Sequence, residues 1–141
     1  MRVLGVDVGE RRVGLAVSDA SGVLARPLET ITVRTADEAV ARVALTIERL
    51  AREDDGLGRI VVGMPARLDG SPTTATSRVI AFIGALQART PVPIDTEDER
   101  LTSREAESRL AVRERDWKKR KARLDAAAAA IILQDYLDRH A

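Results

Sequence analysis

The sequence predicts an α/β fold, a mixed five-stranded sheet flanked by helices, and three observations carry that expectation. The first 33 residues read as three strands joined by short polar links, as antiparallel neighbours are. From residue 35 the pattern becomes helix, strand, helix, strand, and intervening helices of this kind carry parallel strands across a sheet. The last helix is alanine-rich and nearly apolar all round at its centre, as suits a helix packed on a sheet.

Residues 2–8 form the first expected strand and 12–19 the second, with Gly9-Glu10-Arg11 as the turn between them. A third strand is expected over about 22–33, after the Asp19-Ala20-Ser21-Gly22 link. Ala39, Val43, Ile47 and Leu50 recur at helical spacing within 35–53, and Asp54-Asp55-Gly56 ends that helix. Arg59 to Gly63 is a short buried strand, parallel to the first because a helix carried the chain across. Met64 to Thr74 is a loop, and Thr73 or Thr74 caps a helix reaching about Ala88. A further strand starts at Val92-Pro93-Ile94-Asp95, with Pro93 placing its start near an edge. Thr102-Ser103-Arg104-Glu105 matches a capping box and opens a short helix. Residues 113–123 read as a charged, mobile segment, and the last helix spans about 123–138. There is no internal repeat, so 1–141 is expected to be one domain.

Composition excludes several classes. Hydrophobic residues make up 45% and charged residues 32%, a globular balance rather than a disordered one. Aromatics are 2%, so Ala, Val, Leu and Ile must build the core. The absence of cysteine excludes disulfides and thiolate metal sites and fits a reducing cytoplasm. The longest apolar run, Ala126 to Leu133, is too short to span a bilayer, and Asp7 and Glu10 interrupt any signal-peptide core. Net charge is +1, so a polyanionic partner must be argued from where the charges sit.

Asp7 stands out because it lies within the apolar strand Val3-Leu4-Gly5-Val6-Asp7-Val8. A carboxylate there is costly unless a partner or a metal compensates it. Either it accepts from the backbone of the Gly9 turn, or it holds a metal. Two-metal phosphodiester hydrolysis needs carboxylates gathered from distant parts of the chain, and hard oxygen ligands suit Mg²⁺ or Mn²⁺. The acidic cluster Glu97-Asp98-Glu99 past a strand end, and Asp125 opening the last helix, are placed for that task. Singly, Asp125 is explained as well by a helix dipole. The 97–99 cluster is explained as well by a solvated loop, and spacing does not choose among its members.

Basic charge concentrates in Arg113 to Arg123 and includes Arg115, Lys118, Lys119, Arg120 and Lys121, with Trp117 among them. Leading straight into Asp125, this run suits phosphate-backbone contact and base stacking, with Arg11 and Arg12 adding to the field. A solvated basic loop is the alternative. Gly63 and the Asp69-Gly70-Ser71 turn lie between a buried strand and a helix, where backbone amides hold phosphate, although Asp-Gly-Ser is also ordinary turn chemistry. No Walker lysine is present there.

Together these blocks resemble the YqgF family, also called RuvX-like, of Holliday junction resolvases. The resemblance covers essentially the whole chain. It rests on Gly5-Val6-Asp7-Val8-Gly9 with Arg12-Val13-Gly14 and Ser18-Asp19, and on Val61-Val62-Gly63-Met64-Pro65 with Asp69-Gly70-Ser71. It continues in Asp98-Glu99-Arg100-Leu101-Thr102 with Ala106-Glu107, in Lys118-Lys119-Arg120-Lys121, and in Asp125 with Ala127-Ala128 and Ile132-Leu133-Gln134. Met64 and Ser103 depart from the pattern without touching the chemistry. The resemblance implies a ribonuclease H-like fold and a cytoplasmic, Mg²⁺- or Mn²⁺-dependent nuclease. It selects Glu99 from the acidic cluster, giving Asp7, Glu99 and Asp125 as catalytic, metal-holding residues. The implied substrate is structured RNA, at the 5′ end of precursor 16S rRNA. Branched DNA, cut by a homodimer, is the rival. A non-catalytic RNA-binding module would have no need of Asp7, and an actin-like ATPase would need two such domains.

Overall fold

The computed structural model describes residues 1–67, 69–98 and 117–141, without the side chains of 117–124. Its strands are β1 (Arg2–Val8), β2 (Arg12–Ser18), β3 (Ala25–Thr32), β4 (Leu57–Met64) and β5 (Ile94–Asp98). The helices are α1 (Ala36–Arg52), α2 (Thr74–Gln87) and α3 (Trp117–Arg139). The sheet order is β3-β2-β1-β4-β5. As expected, β1 is antiparallel to β2 and β2 to β3, whereas β4 is parallel to both β1 and β5.

Alternation along β1 and β2 divides the core. Leu4, Val6, Val8, Val13, Leu15 and Val17 point to one face, where they pack with Val43, Ile47 and Leu50 of α1 and with Val79, Phe82 and Leu86 of α2. On the other face Ala16 and Val61 meet Ala129, Ile132, Leu133 and Tyr136 of α3. Each large aliphatic side chain fully removed from water contributes about 1.5–3 kcal/mol, so this two-sided burial holds the layers together despite the scarcity of aromatics.

The helices begin where their caps dictate. Thr35 accepts from the Glu38 amide at 3.1 Å, Asp37 and Glu38 lie in the first turn of α1, and Arg49 and Arg52 lie in its last. Thr73 and Thr76 form a reciprocal capping box at the start of α2.

Several boundaries differ from the sequence expectation. β3 starts at Ala25 rather than 22, because Asp19 organises a loop before it. Its Oδ1 accepts the amides of Val23 at 2.8 Å and Leu24 at 3.0 Å, and Gly22 takes φ 72°. β4 extends from Leu57 to Met64, so Gly63 is a strand residue as expected and Met64 is strand rather than loop. β5 begins at Ile94, past Pro93. Residues 117–123, expected as a mobile segment, form the first turns of α3, consistent with the helix preference of Lys, Arg and Ala. The short helix expected from Thr102 lies outside the described residues.

Because β1, β3, β4 and β5 run the same way and β2 runs against them, one sheet edge gathers Val8, Arg12, Thr32, Met64 and Asp98. α3 brings Asp125 to that same edge.

Candidate active site

On β1 the odd-numbered residues face α3, which puts Val3, Gly5 and Asp7 on that side. Asp7 is half-buried and is the ladder partner of Gly14, with Cα atoms of such pairs about 4.5–5.5 Å apart. A β-carbon on Gly14 would stand 2.0 Å from the Asp125 carbonyl oxygen, so the helix backbone rests directly on the strand there. Gly5 makes a second seat, where a β-carbon would meet Leu133 Cβ at 2.8 Å and the Ala129 carbonyl at 3.1 Å. Asp125, Ala129 and Leu133 follow one another at four-residue spacing along one row of α3. The two glycines therefore set the helix close to the sheet and bring Asp125 to the side of Asp7.

Arg12 shares this face, two residues before Gly14 on β2. Its Nε lies 2.8 Å from Asp125 Oδ2, and the two side chains are 28% and 25% exposed. They border an open depression of about 320 Å³ lined by Gly9, Glu10, Arg11, Arg12 and Asp125. The turn above β1 is fixed by the Gly9 amide donating to the Arg12 carbonyl at 2.8 Å. Arg11 has an exposed side chain, while its carbonyl accepts from the Val33 amide at 2.8 Å. Its neighbour Arg12 is thus engaged with a carboxylate, and Arg11 faces solvent.

The end of β5 holds a group that the sequence reading did not single out. Glu97, one member of the acidic cluster left open between a metal-holding role and a solvated loop, is 5% exposed, and its Oε2 lies 2.9 Å from Nη2 of Arg139. Burial pushes its carboxyl above the usual range, against the opposing pull of Arg139. Two residues earlier, Asp95 accepts from the Tyr136 hydroxyl at 2.9 Å. That hydroxyl, ahead of the Thr96 amide and Arg59, holds Asp95 below the usual carboxylate range. Strand alternation through 95 and 97 was the available signal for a shared face. Glu99 follows directly on Asp98 but lies outside the described residues, as does Arg115.

Trp117, Lys118, Lys119, Arg120 and Lys121 lie on the first turns of α3, N-terminal to Asp125, with their side chains outside the description. Gly63 is buried in β4 opposite Glu97. In the following loop Asp69 accepts from the Ser71 amide at 2.9 Å and its hydroxyl at 2.7 Å. The Gly70 amide donates to the Arg67 carbonyl at 2.8 Å, and Gly70 takes φ 89°. These bonds are those of a self-closed turn and engage the amides of Gly70 and Ser71 that a phosphate would use.

Among the described residues no group of three or more Asp, Glu, His or Cys side chains is placed to hold a metal ion. Asp7 and Asp125 are two carboxylates at one edge, an all-oxygen donor pair fitting a hard cation such as Mg²⁺ or Mn²⁺ once a further donor joins them. Among the same residues no helix is long and apolar enough to cross a membrane.

The RuvX family model, described as Holliday junction resolvase, matches residues 1–139. A protein of Anaeromyxobacter dehalogenans provisionally named pre-16S rRNA nuclease is 42% identical over 141 residues, spanning 100% of this chain and 99% of its own. A protein of the same provisional name from Chloroflexus aggregans is 42% identical over 136 residues, 96% of this chain and 92% of its own. Among solved structures, T. thermophilus RuvC in complex with a Holliday junction substrate matches with TM-score 0.55. That match covers 99% of this chain and 96% of RuvC at 18% identity, a likeness of fold. RuvC has the ribonuclease H-like fold expected above. The chain belongs to the RuvX (YqgF) family, a nuclease family built on that fold.

Proposed function

We propose that this chain is a cytoplasmic, divalent-metal-dependent phosphodiester hydrolase of one domain, acting on structured RNA at the 5′ end of precursor 16S rRNA. The observation that carries the reading is the seating of α3 on Gly14, which sets Asp125 beside Asp7 at the sheet edge. Asp7 and Asp125, with Glu99 from the chain just past β5, hold the metal. Mg²⁺ or Mn²⁺ bound there would activate the attacking water and stabilise the leaving oxygen. Arg11 at the rim and the basic turns Lys118 to Lys121 position the phosphate backbone, and Trp117 offers a ring for stacking. The relatives' names favour precursor 16S rRNA as the substrate.

Branched DNA is the second reading, favoured by the family description and by the junction bound to RuvC. Side-by-side cleavage of a 16S precursor leader RNA and a four-way DNA junction, in Mg²⁺ or Mn²⁺ and in EDTA, tests both. Metal-dependent cutting of the RNA is the expected result. Cutting of the junction alone would replace it with the resolvase reading, and binding without cutting would leave a recognition module.

A further inference from the structure

Arg12 and Asp125 were expected to serve different ligands, one a phosphate and the other a metal, yet their side chains meet at 2.8 Å. We propose that Arg12 couples the two: without a metal its guanidinium is engaged by Asp125, and a metal on Asp125 releases it to a substrate phosphate. This rests on the reading of Asp125 as a metal-holding carboxylate.

The geometry supports an exchange of partners rather than a fixed tie. The Arg12 backbone is held in β2, paired with Thr32, and its carbonyl accepts the Gly9 amide at 2.8 Å. Only the side chain is left to move. It stands at an open depression whose other charged members are Glu10 and Arg11, both exposed. Helix α3 does not depend on the ion pair for its placement, because Gly14 beneath Asp125 and Gly5 beneath Ala129 and Leu133 already seat it.

Electrostatics then fixes the direction. A divalent cation on Asp125 compensates the carboxylate and repels the adjacent guanidinium, so the two cations compete for one oxygen. Once displaced, the guanidinium is a planar, always-charged donor suited to phosphate. By linkage, nucleic acid that takes Arg12 must also raise the affinity for the metal by the same factor.

The test measures Mn²⁺ binding by electron paramagnetic resonance without RNA, and the affinity of a labelled leader RNA in Ca²⁺ and in EDTA. The full chain is used throughout. Arg12→Gln is expected to bind Mn²⁺ more tightly than wild type, because a competitor is gone. It is also expected to lose a metal-induced gain in RNA affinity of about fivefold or more. Asp125→Asn releases Arg12 by another route, so in EDTA it should bind RNA more tightly than wild type, and adding Arg12→Gln should remove that gain. Equal Mn²⁺ affinity in wild type and Arg12→Gln, with an unchanged ratio of RNA affinities, would overturn the coupling and leave the metal site standing. A wild-type protein that binds no Mn²⁺ would overturn the metal reading and the coupling with it.

Discussion

Gly14 and Asp125 meet backbone to backbone, and a β-carbon on the glycine would stand 2.0 Å from the helix carbonyl. No side-chain rotation relieves such a contact, because both partners are main chain held by a strand and a helix. Gly14→Ala must lift the α3 backbone away from β2 and carry Asp125 from Asp7. The expected loss is about 1–3 kcal/mol of stability, as for overpacking elsewhere, with cleavage falling further than stability explains. Urea unfolding and single-turnover cleavage of the variant check this, and wild-type values in both would show that the helix has room to spare.

Asp19 gives a prediction in acid. The Ser21 hydroxyl, then the amides of Leu24 and Val23, lower its carboxyl to about 2. A carboxylate lowered on folding stabilises above its unfolded value and loses that contribution as pH falls through the folded one. The 19–24 loop should therefore keep its order well below pH 4, and Asp19→Ala should speed amide exchange at Val23 and Leu24 at neutral pH. Carboxyl NMR titration reads the first directly. A midpoint in the ordinary aspartate range would contradict it.

Tyr136→Phe removes the hydroxyl that Asp95 accepts from at 2.9 Å. Asp95 should then titrate closer to the ordinary carboxylate value, while the protein loses about 0.5–1.5 kcal/mol at neutral pH. Because Asp95 is lowered in the folded state, that loss is largest above the unfolded aspartate value and shrinks as pH falls through the folded one. Thermal melts of both proteins across pH 3–7 measure the difference. A gap that widens in acid would reverse the assigned sign.

The first turns of α3 carry Lys118, Lys119 and Lys121 just ahead of Asp125. Reversing all three to Glu should weaken leader-RNA binding and lower the slope of log affinity against log salt by about 2, at roughly 0.7–0.9 per phosphate contact. An unchanged slope would remove these residues from the interface.

Much of this was legible from local pattern. Period-2 alternation located β1 and β2, helical spacing of Ala39, Val43, Ile47 and Leu50 located α1, and the carboxylate in an apolar strand marked Asp7. What stayed hidden depends on residues distant in sequence. Gln134 accepts from the Ala25 amide at 2.9 Å and donates to the Val23 carbonyl at 2.9 Å, and that tie from α3 helps place the start of β3. Glu97 was one of three undistinguished acidic neighbours, because nothing nearby in sequence shows that Arg139 reaches it. Arg12 was legible as a basic residue near Asp7, but its engagement with Asp125 follows from helix placement more than a hundred residues later in the chain. The acidic residue that completes the proposed triad, Glu99, rests on family resemblance and on its position directly after β5.

The central claim is that Asp7 holds the metal that cuts the substrate, and Asp7→Asn tests it most directly. The substitution keeps size and removes charge, so the fold, and the RNA affinity measured in EDTA, should stay near wild type. Single-turnover cleavage of the leader RNA in Mn²⁺ should fall by three orders of magnitude or more, about 4 kcal/mol of transition-state stabilisation. Cleavage within a few-fold of wild type, by a variant that folds and binds, would contradict the account.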